Sequence, residues 1–233
     1  MVDLSAAFDL VSPDILVQKL SIYGLKEVII SWISNYLSDR YQSVWIDHIF
    51  SDLLPNSLGV PQGSNLGPLL FLIFFNDLPS FIHQSNDCYA DDSTLGATGK
   101  SVTDIGNILS DDCKNLSDWM ASNNFKLNAG KTHFLTMGTQ RRRDGLPAQL
   151  EVVMDGINLE ESEDKSEILL GIKIQNNLEW SGQVEELKGK LKKRLGGLAN
   201  LKCIMGSSSK KNIVEGVFNS VLCYCLPLFG VLI

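Results

Sequence analysis

Between Gly59 and Phe75 the sequence passes from a run that cannot hold regular structure into one that cannot stay in water. Residues 59–67 read Gly-Val-Pro-Gln-Gly-Ser-Asn-Leu-Gly. Such a stretch turns and lets other groups approach its backbone closely. Pro68, suited to a first helical turn, then opens the run Leu69-Leu-Phe-Leu-Ile-Phe-Phe75, which Asn76-Asp77 follow, and the helix is predicted to end near Pro79. Seven apolar residues are too few to cross a bilayer, which takes about 20. They are predicted to form a short helix covered by the rest of the chain. The loop lacks the Gly-Lys-Ser/Thr of a Walker phosphate loop. It is therefore either a plain connector or a loop shaped for a ligand. In the second case Gln62 offers both a donor and an acceptor, beside the bare backbone of Gly63.

The flanking sequence supplies that cover in alternating kinds. Ser12-Pro13-Asp14 starts a helix that Gly24 stops, and a second helix is predicted from about Lys26 to Ser38. Tyr41 to Ile46 and Phe50 to Leu58 read as paired strands, and Cys88 to Leu95 as a hairpin with Asp91-Asp92 at its turn. Ser101 with Asp104 resembles a capping box, followed by helical periodicity to about Ser122. Further strands are predicted at Lys131 to Met137, Leu150 to Met154 and Ile168 to Ile174. From Trp180 onward Val184, Leu187, Leu191, Leu195 and Leu198 fall at helical spacing, with Lys190, Lys192 and Lys193 off that stripe. The expectation is an α+β body joined near residues 176–182 to a helical C-terminal module. Ile213 to Ile233 is long enough to span a membrane, but Glu215, Asn219, Ser220 and Pro227 interrupt it. It reads as a buried helix, and no membrane partner is expected.

Charge is unevenly spread. The net −7 excludes a uniformly basic, histone-like binder. Residues 183–233 nevertheless carry eight bases against three acids, a basic surface beside an acidic body. Five cysteines, odd in number and without Cys-x-x-Cys spacing, read as reduced thiols of an intracellular protein with no zinc site.

The acids carry the candidate chemistry. Two adjacent carboxylates at a tight turn are either solvated or held by a counter-charge such as a divalent cation. By that test Asp111-Asp112 reads as helix surface. Asp91-Asp92 is preceded by Tyr89-Ala90, a four-residue pattern this composition would produce by chance only ~0.03 times. A two-metal centre needs a carboxylate from a second segment. Asp3, in Asp3-Leu-Ser-Ala-Ala-Phe8-Asp9, offers one.

In order, Asp3 to Asp9, Gly59-Val-Pro-Gln-Gly-Ser64 and Tyr89-Ala-Asp-Asp92 resemble palm motifs A, B and C of reverse transcriptases. Leu66 to Phe71 and Asn76-Asp77-Leu78-Pro79 are similar to those of non-LTR, LINE-type, jockey-like retrotransposons. Leu127-Asn128 with Lys131-Thr132 resembles motif D, and Leu169-Leu170-Gly171 resembles motif E. The resemblance implies a right-hand polymerase palm, an antiparallel sheet with packed helices, over residues 1–178. A helical and truncated thumb follows over 179–233.

It also implies roles. Asp3, Asp91 and Asp92 would ligate two Mg²⁺ ions. Lys131 would serve near the leaving pyrophosphate, Phe8 as the ring that rejects a ribose 2′-hydroxyl, and Gln62, Gly63 and Tyr89 around nucleotide and primer. Lys190, Lys192 and Lys193 would follow the duplex backbone. Asp9 is read as structural. The partners implied are an RNA template, a DNA primer and dNTPs. Fingers and endonuclease regions of a parent polyprotein are missing, so the chain alone is expected to polymerise poorly. The alternative is a non-catalytic remnant or a domesticated nucleic-acid-binding module.

Overall fold

The computed structural model describes residues 1–2, 6–90, 92–125, 132–139, 150–162, 164–200 and 206–229. The chain divides into two units, Met1–Phe134 with Pro147–Glu160, and Leu135–Leu146 with Glu161–Ile233.

In the first unit a short helix α1 (Ala7–Leu10) leads into α2 (Pro13–Ile22), whose start is capped by the Ser12 hydroxyl accepting the Ile15 N–H. Gly24, at φ 78°, ends the turn that follows, and α3 spans Glu27–Leu37. Four two-residue strands come next: β1 (Tyr41–Gln42), β2 (Trp45–Ile46), β3 (Ile49–Phe50) and β4 (Leu54–Pro55). β1 pairs antiparallel with β4 and β2 with β3, the inner pair turning at Asp47–His48, both with positive φ. The pairing agrees with the alternation in the sequence, but Val44, Trp45, Ile46, Ile49, Phe50 and Leu53 stay in solvent.

Helix α4 runs Leu66–Phe75, two residues earlier than Pro68 suggests. The reason is Ser64: its hydroxyl accepts the Gly67 N–H at 2.9 Å and donates to the Pro61 carbonyl at 2.8 Å. The turn is thus closed ahead of the proline, which sits third in the helix, where its missing N–H costs nothing. A 3₁₀ turn (Leu78–Ser80), the antiparallel hairpin of β5 (Ser85–Tyr89) and β6 (Asp92–Gly96), and α5 (Val102–Ser122) complete most of this unit. The Ser101 hydroxyl accepts the Asp104 N–H at 3.1 Å. Strands β7 (His133–Phe134), β8 (Val153–Met154), β9 (Ile157–Asn158) and β10 (Glu160–Glu161) are short.

The core is here. Leu16, Leu20, Leu70, Phe71, Phe74, Leu116, Met120 and Met154 are buried, and Phe71, Phe74, Phe75, Trp119 and Phe125 form a continuous aromatic cluster. Lys19 enters this cluster from α2. Its ammonium donates to the Phe74 carbonyl at 2.7 Å and to Asp77 Oδ1 at 2.8 Å, and lies 4.4 Å from the Phe74 ring centroid and 4.7 Å from that of Trp119. Burial nonetheless pulls the Lys19 ammonium below its ordinary pKa, against the raising effect of Asp77.

Asp112 is not helix surface. It is 1% exposed, and its two oxygens accept the backbone N–H groups of His83 at 2.9 Å and Gln84 at 3.1 Å. Pairing with a loop far away in sequence overrides the solvated-turn logic applied to Asp111-Asp112.

The second unit contains the hairpin of β11 (Ser166–Leu169) and β12 (Ile172–Gln175), turning at Leu170–Gly171, and then α6 (Ser181–Asn200). Gln175 Oε1 accepts the Gly182 N–H at 2.7 Å, and Gln183 Oε1 accepts the Lys173 N–H at 2.8 Å, tying helix to hairpin. Among the described residues, up to Phe229, the buried helix expected over 213–233 is not continuous. Ser207–Ile213 passes through a π-helical turn (Val214–Asn219) into short pieces at Ser220–Leu222 and Leu226–Phe229. No described side chain of that stretch is buried. Positive φ at Cys225, two residues before Pro227, breaks the run. No helix among the described residues is long and apolar enough to cross a membrane.

Candidate active site

The glycine-rich loop is fixed by backbone before any side chain is considered. Gly59 N–H donates to the Val11 carbonyl at 2.7 Å, and Val60 N–H to the Phe8 carbonyl at 2.9 Å. Gly59 sits at φ 76°, and a Cβ there would lie 2.7 Å from Asp9 Cα, so only glycine permits this approach. Arg40, which no motif in the sequence marks, holds the other flank. Its Nη2 donates to the Leu58 carbonyl at 2.7 Å and to the Gly59 carbonyl at 2.5 Å, and its Nε to the Leu37 carbonyl. Nothing local in the sequence marks Arg40, because its partners are main-chain oxygens.

This pairing brings Phe8 and Gln62 to one region. The half-buried Phe8 ring stacks on Phe71 with centroids 4.1 Å apart and planes 11° from parallel. Phe71 is fully buried and stacks in turn on Phe75 at 4.5 Å, so α4 backs the Phe8 ring. Gln62 is exposed, and its Nε2 donates to Asp9 Oδ1 at 2.8 Å. Gly63, at φ 80°, has open space where a side chain would go.

The β5–β6 hairpin carries the acid pair's described member. Tyr89 faces Asp92 in register, with Tyr89 68% exposed and Asp92 half-buried. Ala90 occupies the left-handed region at φ 54°, a strained conformation for a residue with a side chain. Beside the hairpin, Val2 forms an antiparallel bridge with Ser93, its N–H donating to the Ser93 carbonyl at 2.8 Å. The residue before Asp3 and the residue after Asp92 are thus backbone partners. Asp3, Asp91 and Lys131 lie outside the described residues. Among the described residues no three His, Cys, Asp or Glu side chains gather as a metal site. The donor set the sequence offers is carboxylate only, which suits a hard divalent cation.

Lys190, Lys192 and Lys193 lie on α6 in the second unit. Lys190 is engaged by Glu186 at 2.6 Å, and Lys188 by Glu185 at 2.6 Å. The hydrogen bond from Lys188 lowers the Glu185 carboxyl below its ordinary pKa. Lys192, Lys193 and Arg194 are exposed, and Arg194 donates to the Val217 carbonyl.

A model of the family described as reverse transcriptase (RNA-dependent DNA polymerase) matches residues 1–183. Among curated proteins, the RNA-directed DNA polymerase from mobile element jockey of Drosophila melanogaster is 24% identical over 98% of this chain and 25% of its own length. The probable RNA-directed DNA polymerase from transposon BS of the same fly is 25% identical over 99% of the chain and 26% of its own length. That from transposon X-element is 24% identical over 70% of the chain and 18% of its length. The chain therefore spans about a quarter of the length of the first two.

Proposed function

We propose, for a chain that belongs to the reverse transcriptase family, that residues 1–178 are the palm and 179–233 part of the thumb of a non-LTR retrotransposon polymerase that copies RNA into DNA. The primer 3′-oxygen attacks the α-phosphorus of a bound dNTP in line, and the bond to pyrophosphate breaks. The family works with divalent cations. Asp3, Asp91 and Asp92 would hold two Mg²⁺ ions, which when bound acidify the primer hydroxyl and offset triphosphate charge. Phe8 would exclude a ribose 2′-hydroxyl. Gln62, Gly63 and Tyr89 would line the nucleotide and primer end, and Lys131 would protonate the leaving group.

The observation that carries this reading is the Val2–Ser93 bridge. It supports convergence of the first acid's segment on the hairpin of the acid pair. Primer extension on poly(rA)/oligo(dT) with dTTP and Mg²⁺ tests it. We expect weak synthesis that disappears in Asp91→Asn and on chelation. Synthesis indifferent to Asp91→Asn would overturn the polymerase reading. The exposed Lys192, Lys193 and Arg194 favour a narrower second reading, a nucleic-acid-binding module. Its signature is hybrid binding, weakened by Lys192→Ala with Lys193→Ala, in a chain that makes no product.

A further inference from the structure

The sequence marks Asp9 as structural, and its backbone is packed against Gly59. Its side chain does something else. The carboxylate accepts one N–H of the Gln62 amide at 2.8 Å. From this geometry we infer that Asp9 is a positioning residue: it sets which end of the Gln62 amide faces an incoming nucleotide. The inference rests on the reading of Gln62 as a nucleotide-pocket residue.

Any glutamine carries an ambiguity. An amide has a donor end and an acceptor end of nearly the same shape, and in water it turns freely between them. An ionised carboxylate only accepts. Whenever Asp9 and Gln62 are in contact, the nitrogen must therefore face Asp9. That leaves Oε1 as the acceptor available to a hydroxyl or amine of the nucleotide.

Contact is enforced by the main chain. The hydrogen bonds Val60 N–H to Phe8 O and Gly59 N–H to Val11 O hold residues 8–11 against 59–60. Arg40 grips the carbonyls of Leu58 and Gly59. The absent side chain at Gly59 lets the Asp9 backbone come within 2.7 Å of where a Cβ would be. With both backbones so fixed, pairing costs side-chain rotamer freedom but no further loop closure, which favours a lasting orientation.

The test uses the full 233-residue chain and two readouts. In ¹⁵N spectra the Gln62 side-chain amide should show one proton set apart and slowed in exchange. That signature should be lost in Asp9→Ala and weakened in Asp9→Asn, whose own amide can meet Gln62 with either its donor or its acceptor end. An amide signature identical in the parent chain and Asp9→Ala overturns the inference without reference to nucleotide. In the second readout, fluorescent mant-dTTP is titrated onto the chain bound to poly(rA)/oligo(dT) with Mg²⁺. Asp9→Ala should weaken binding about fivefold to tenfold, the scale of one hydrogen bond between Gln62 and nucleotide. Asp9→Asn, whose amide can face Gln62 with either end, should recover only part of it, and Asp9→Ala added to Gln62→Ala should cost nothing more. Equal losses from Asp9→Ala with and without Gln62 overturn the inference, since Asp9 then acts by another route. Failure of the unsubstituted chain to bind mant-dTTP, with the amide signature present, overturns the nucleotide-site reading itself.

Discussion

Two glycines of the loop share a left-handed backbone but differ in what surrounds them. At Gly63 a methyl group would meet nothing within 4 Å, so Gly63→Ala should cost only the conformational penalty, about 1–2 kcal/mol. At Gly59 the methyl would strike the Asp9 backbone as well, and backbone cannot swing aside. Gly59→Ala is expected to lose about 3 kcal/mol or more in urea unfolding. Equal losses at the two positions would show that the loop does not press on Asp9. A third residue gives a pH test. Burial pushes the Cys113 thiol up to about 11 from 9.0. The folded state therefore keeps its proton where the unfolded chain releases it. This contribution to stability is complete below pH 9 and is lost as pH rises toward 11, about 2–3 kcal/mol in all. Cys113→Ala should remove that alkaline slope from the urea midpoints.

Elements are held at points that sequence alone marks unequally. Ser12 and Ser101 are legible as caps because their partners lie three residues away. The β5–β6 hairpin is legible for the same local reason. Asp112 and Arg40 are not, because, apart from the bond of Arg40 to Leu37, they reach backbone groups 18 to 29 residues distant. Asp77 is recognisable as part of a familiar run, yet its work of accepting both Lys19 and the Trp119 indole N–H is invisible without the fold. The acid centre was the reverse: its residues are legible as a pattern, while Asp3 and Asp91 fall outside the described structure. Asp112→Ala should strand two backbone donors at the entry to β5, costing about 2–4 kcal/mol. Hydrogen exchange at the His83 and Gln84 amides should rise, and unchanged exchange there would refute the anchoring role. Lys19→Met should be milder than Lys19→Ala in thermal unfolding. The longer side chain refills the space between the two rings, though both leave Asp77 without its cation.

At the scale of the whole chain, apolar burial is concentrated in the first unit, and the C-terminal stretch from residue 206 buries no described side chain. Limited proteolysis should accordingly cut within residues 206–229 well before α4 or α5. Simultaneous loss of all fragments would argue for a single cooperative body. The exposed tryptophans carry one more consequence. Trp32 and Trp45 are 56% and 61% exposed, whereas Trp119 is sealed among rings beside a lysine. Native emission is then already red-shifted by the first two, and denaturant will move it little. What does change colour on unfolding is the sealed Trp119, with a smaller share from the half-buried Trp180, so the optical signal of this protein reports mainly the melting of one aromatic nest and is nearly blind to the β2–β3 hairpin.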